Sequence, residues 1–204
     1  MTRTVSALYD QYDEAAAAVR ALEDAGIPAA DITLVSNNVD NHYAAAADKE
    51  TAGDIAADGA GAGSLIGGGA GLLAGLGVIA IPGIGPVVAA GWLAATAVGA
   101  AAGAIAGAIG GGIVGGLTRS GVSEEDANLY AEGVRRGGSL VSVRVDDDRV
   151  GVAEEILHAH DHVDVAARRD IFRDNGWSQF DERGRSFTEE ELARARQDPR
   201  LPMI

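Results

Sequence analysis

Polar and apolar residues alternate through Thr4-Val-Ser-Ala-Leu-Tyr9, which predicts a strand. Asp10 stands where a helix cap is needed. The segment after it sets Ala15, Val19, Leu22 and Ala25 on one helical face before Gly26 and Pro28 end it. Ile32-Thr-Leu-Val-Ser36 predicts a second strand, so residues 4–36 read as a β-α-β unit. The same order returns later in the chain. Ser139-Leu-Val-Ser-Val-Arg-Val145 predicts a strand with Val141, Val143 and Val145 on one face. Asp146-Asp-Asp-Arg149 opens a helix carrying Val152, Ala153, Ile156 and Leu157, and Val163-Asp-Val-Ala166 predicts a short closing strand. Two such units predict an α+β fold, a ferredoxin-like split β-α-β sandwich of four strands with two helices on one face.

Between these halves, which take residues 1–36 and 119–167, the pattern changes. Residues 37–58 are acidic and Ala-rich and read as a linker. Residues 59–118 carry no charge and hold 20 of the 29 glycines, so they are treated as a separate insert. Gly59, Gly63, Gly67, Gly71 and Gly75 recur at every fourth position, as do Gly99, Gly103, Gly107, Gly111 and Gly115. That spacing lines glycines along one helix face, where missing side chains let two backbones approach closely. Pro82, Gly83, Gly85 and Pro86 interrupt the run and predict the turn of an inserted Gly-zipper hydrophobic helical hairpin. As a helix, residues 60–81 would be roughly 33 Å long, about one hydrocarbon core. Each helical Gly costs about 1 kcal/mol against Ala, so close packing must be rewarded by a bilayer or by a soluble oligomer with a buried Gly/Ala core. Without either, the segment would be disordered.

Residues 119–167 open with a helix capped by Ser123, with Glu124, Glu125 and Asp126 at its positive end and Arg135 and Arg136 at the other. Residues 168–204 form a charged tail holding Phe172, Trp177, Phe180 and Phe187, with Thr188 and Glu191 as the capping box of a last short helix. Its rings are expected to pack on their own domain rather than on a partner.

Charge narrows the partners. Thirty Asp and Glu against sixteen Lys and Arg give a net charge of −14, which disfavours nucleic acid and anionic headgroups alike. There is no cysteine, which excludes disulfides, zinc–thiolate sites and thiol nucleophiles. No secretory signal opens the given residues, and the polar parts are expected in the cytoplasm. Gly69-Ala-Gly-Leu-Leu-Ala74 matches a dinucleotide-binding pattern literally, but no strand precedes it and no acid follows at the ribose spacing. His158, His160 and His162 are the weak candidates for a metal, beside Asp161 and Asp164; alternate positions at a helix end scatter the rings, and the bland reading is a surface cluster. Arg135 and Arg136 before Gly137 and Gly138 read as dipole-neutralising charges, since a helix C-terminus repels anions. No nucleophile–base pair stands out, and neither an enzyme nor a cofactor is expected.

Several stretches carry a resemblance: Thr4-Val-Ser-Ala-Leu-Tyr9, Ala25-Gly-Ile-Pro28, Ile81-Pro-Gly-Ile-Gly-Pro-Val-Val-Ala-Ala-Gly91 and Tyr130-Ala-Glu-Gly-Val-Arg-Arg-Gly-Gly138 before Leu140-Val-Ser-Val-Arg-Val145. Together they resemble the bacterial general stress protein 17M-like family. The resemblance implies a stress-linked, non-enzymatic protein with a ferredoxin-like domain and a Gly-rich insert. The expected function is a stress-associated protein held at the cytoplasmic side of the inner membrane by its hairpin, with membrane lipid and further copies of itself as partners. The alternative is a cytoplasmic oligomeric binding module for a ligand or protein.

Overall fold

The computed structural model describes residues 2–38, 77–81, 83–94 and 112–197. In chain order the elements are β1 (Thr2–Tyr9), α1 (Tyr12–Asp24), β2 (Ile32–Asn37), β3 (Gly77–Ile81) and β4 (Gly85–Gly91). After them come α2 (Gly112–Arg119), α3 (Glu124–Arg135), β5 (Ser139–Asp146), α4 (Val150–His158), α5 (Val165–Asp174) and α6 (Glu189–Gln197). The strands form one antiparallel sheet in the order β1-β5-β2-β4-β3. The fold is mixed α+β, as the two β-α-β patterns predicted.

Both faces of the sheet are covered, not one. On the first face, Ala15, Ala18, Val19 and Leu22 of α1 and Ala153 and Leu157 of α4 bury against Ala7, Tyr9, Ile32, Leu34, Val141 and Val143. On the second, α2, α3 and α5 place Leu117, Ala131, Val134 and Phe172 over Leu8, Val35, Val87, Ala89 and Leu140. This double cover explains why β2 is buried at every position. Polar residues in the sheet pair with one another: Ser36 and Ser139 join through their hydroxyls at 2.7 Å, and Ser6 and Ser142 at 2.8 Å. A buried hydroxyl needs such a partner.

Two expectations are corrected. Residues 77–81 and 85–91 are strands rather than the inner ends of two helices. A turn does fall at Gly83 and Ile84, closed by the Ile84 N–H donating to the Ile81 carbonyl at 3.1 Å with Gly83 at φ 76°. Pro-Gly favours a β-turn with a positive φ at the glycine, and Val78, Ile79, Ile81, Val87 and Val88 supply the β-branched flanks. Gly83 and Gly85 thus turn a strand hairpin, Pro86 lies exposed at the start of β4, and Pro82 lies outside the described residues. Trp92 beyond it sits beneath the Arg144 guanidinium, 4.9 Å from the ring centre.

The second correction concerns the fourth strand expected at Val163–Ala166. Only one bridge forms there, Tyr9 with His162, and the Val163 N–H donates to the Leu8 carbonyl at 2.8 Å. Asp164 then accepts from the Ala167 N–H at 3.0 Å and starts α5 at Val165. A side-chain cap wins over a two-valine alternation. Asp10, expected to cap α1, instead holds Arg168 of α5 at 2.6 Å, and Gln11 stands at the cap position without a side-chain bond.

Candidate interaction surface

Because the fourth strand stops after one bridge, most of β1 is an open sheet edge among the described residues. Ser6 and Leu8 direct their carbonyls away from β5, since these accept from the Tyr130 hydroxyl at 3.1 Å and from Val163. Strand periodicity puts the amides and carbonyls of Thr2 and Thr4 on the same outward edge. Among the described residues the outward amides of Thr4 and Ser6 meet no hydrogen-bond partner.

A groove of about 250 Å³ runs along this edge. Its floor is Arg3 to Ser6, one wall is the Gly121–Ser123 turn with Asp126 and Tyr130 of α3, and the other is Val150 and Glu154 of α4. The α3 wall is firmly built. Ser123 caps α3 by accepting from the Asp126 N–H at 3.1 Å, as predicted, and Asp126 is ion-paired with Arg169 of α5. The Thr4 hydroxyl donates to the Ser120 carbonyl at 2.8 Å. Burial, helped by Asp126 and opposed by Arg169, pushes the Tyr130 phenol up to about 12, so it remains a neutral donor to Ser6. Arg3 and Glu154 have no ion-pair partner among the described residues.

The other candidate residues are placed as follows. The His158 and His162 rings stack at 4.4 Å, whereas His160 turns to Glu14 at 3.6 Å. The three therefore do not converge, and among the described residues no group of three or more His, Cys, Asp or Glu could hold a metal ion. Gly59, Gly63, Gly67, Gly71, Gly75, Gly99, Gly103, Gly107 and Gly111 lie outside the described residues. Gly115 is buried in α2, which packs on α3. No described helix is long and apolar enough to cross a membrane.

Arg135 and Arg136 do something the sequence reading missed. Both pair with the fully buried Glu132, at 2.7 and 2.6 Å. Their guanidiniums also lie against the tail: Arg136 over Phe172 at 4.4 Å, Arg135 over Phe187 at 5.0 Å and Phe180 at 5.6 Å. Phe172, Trp177, Phe180 and Phe187 are all buried on their own domain, as expected. Glu132 is three and four residues from the arginines, and that spacing was the available signal. The groove residues were missed because an edge exists only once the fourth strand fails.

Residues 4–79 match the model of the heat induced stress protein YflT domain. This agrees with the general stress protein resemblance of the sequence and indicates a stress-associated protein family. The match takes in β1 from Thr4 onward, α1 and β2 and ends at Ile79 within β3, so it includes Thr4 and Ser6 of the edge. No curated protein and no solved structure gives a significant match.

Proposed function

We propose that this is a non-enzymatic stress-associated interaction module whose working surface is the open edge of β1. The observation that carries the reading is the row of outward amides at Thr4 and Ser6, unpartnered among the described residues, above a walled groove. Such an edge binds an extended segment by adding a strand. The order β1-β5-β2 corresponds to three strands of a ferredoxin-like sandwich, with the edge lying where the fourth would pair. This supports reading the scaffold as an open variant of that fold.

Membrane association through the glycine-rich residues 59–76 and 95–111 is a second reading, favoured by their lack of charge. It places the acidic α/β part on the cytoplasmic side of the inner membrane, with glycine faces packing between helices or copies. Fractionation of native protein with carbonate and high-salt washes, then sizing, separates the two. A defined assembly recovered without detergent is expected for the interaction module. Carbonate-resistant membrane retention supports the second reading, and a detergent-free monomer contradicts both.

A further inference from the structure

We infer that the occupant of the β1 edge is the β1 strand of a second copy, paired antiparallel about a two-fold axis at Thr4. The inference rests on the interaction-module reading and names its partner. The outward groups are self-complementary when Thr4 lies on the axis. With Thr4 opposite Thr4 of the other copy, each Thr4 N–H donates to the other Thr4 carbonyl. The Ser6 N–H then donates to the Thr2 carbonyl across the axis. The Ser6 carbonyl, with two lone pairs, accepts the Thr2 N–H beside the Tyr130 hydroxyl.

Charge favours the same register. Arg3 of one copy falls opposite Val5 of the other, and directly opposite residues share a sheet face. Arg3, Val5, Val150 and Glu154 all line the groove, and Arg3 and Val5 share the face that α4 covers. Each Arg3 is therefore carried toward the other copy's Glu154, and two-fold symmetry makes the contact twice. A charge on an edge strand ordinarily discourages pairing; here it meets across the groove the opposite charge of Glu154, which has no ion-pair partner among the described residues. Beyond Ser6 the edge is closed by Val163 on Leu8, which limits the pairing to this short stretch.

The test is sedimentation equilibrium of the full chain, with R3E, E154R and the R3E/E154R double exchange. Both side chains are exposed, so the exchanges leave the fold intact. The parent should shift with concentration from its 20.7 kDa chain mass toward twice that value. Each single exchange should weaken the dimer about tenfold by converting two attractive contacts into two repulsive ones. The double exchange should return the constant to within about threefold of the parent. An assembly indifferent to all three variants overturns β1 pairing but leaves an interaction module standing. A parent that stays monomeric overturns the inference, and if it also captures no partner in the fractionation above, the broader reading falls with it.

Discussion

Glu132 is the least expected side chain in the molecule, a carboxylate with no exposure inside a helix that faces the sheet. Its two arginine partners are 13% and 12% exposed, so the cluster is a partly buried charge network roofed by tail phenyl rings. Removing one member leaves the others desolvated and uncompensated. Glu132→Ala should therefore cost about 3 kcal/mol in urea unfolding, and Glu132→Gln less. A cost below about 0.5 kcal/mol for the alanine variant would show the network to be ornamental. Gly133, one residue on, tests packing. In an exposed helix, Gly→Ala stabilises by about 1 kcal/mol. Here a Cβ would press into the Leu8 methyl groups of β1, and overpacking of this kind costs about 1–3 kcal/mol. Gly133→Ala should thus lower the unfolding midpoint, and a raised midpoint would mean that α3 sits farther from the sheet.

Of the elements, the strands at Thr4–Tyr9, Ile32–Ser36 and Ser139–Val145 were legible in the sequence because alternation and burial act together there. The Ser123 cap and the Thr188–Glu191 box were legible because their geometry is local; Thr188 donates its N–H to Glu191 at 2.7 Å. The β3–β4 hairpin was not legible. Its glycines fall among others at helical spacing, and only pairing of β4 with β2 decides that Val87 and Val88 are strand. The fourth strand failed for the opposite reason, a local cap at Asp164 overriding a weak pattern. A cysteine scan of residues 78–81 checks the hairpin cleanly in a chain with no cysteine. Thiols at Val78 and Ala80 should label fast, and those at Ile79 and Ile81 slowly. Uniform protection or a helical period would contradict the strand. At α6, the Arg185 guanidinium and then the Thr188 N–H hold the Glu191 carboxyl down at about 2, from 4.5. Its contribution is complete above pH 4.5 and is lost as pH falls toward 2. The Glu191 carboxyl carbon should titrate in NMR near 2, moving toward 4.5 in Arg185→Gln.

At the scale of the whole molecule, a sheet covered on both faces leaves its edges as the places where backbone groups can still recruit a partner. A net charge of −14 opposes close approach of two copies, so an edge that pairs must supply local attraction, and Arg3 beside Glu154 does so. The stress-domain match reaches from Thr4 to Ile79, so it takes in Thr4 and Ser6 of that edge but not Thr2, Arg3 or Glu154. The most direct measurement is amide hydrogen exchange at Thr4 and Ser6 in the full chain across a wide concentration range. At high dilution both amides should exchange at rates near those of an unpaired strand, and slow strongly as concentration rises. Protection that is already complete at the lowest concentration would mean that the edge is closed within a single chain, and would contradict an open β1.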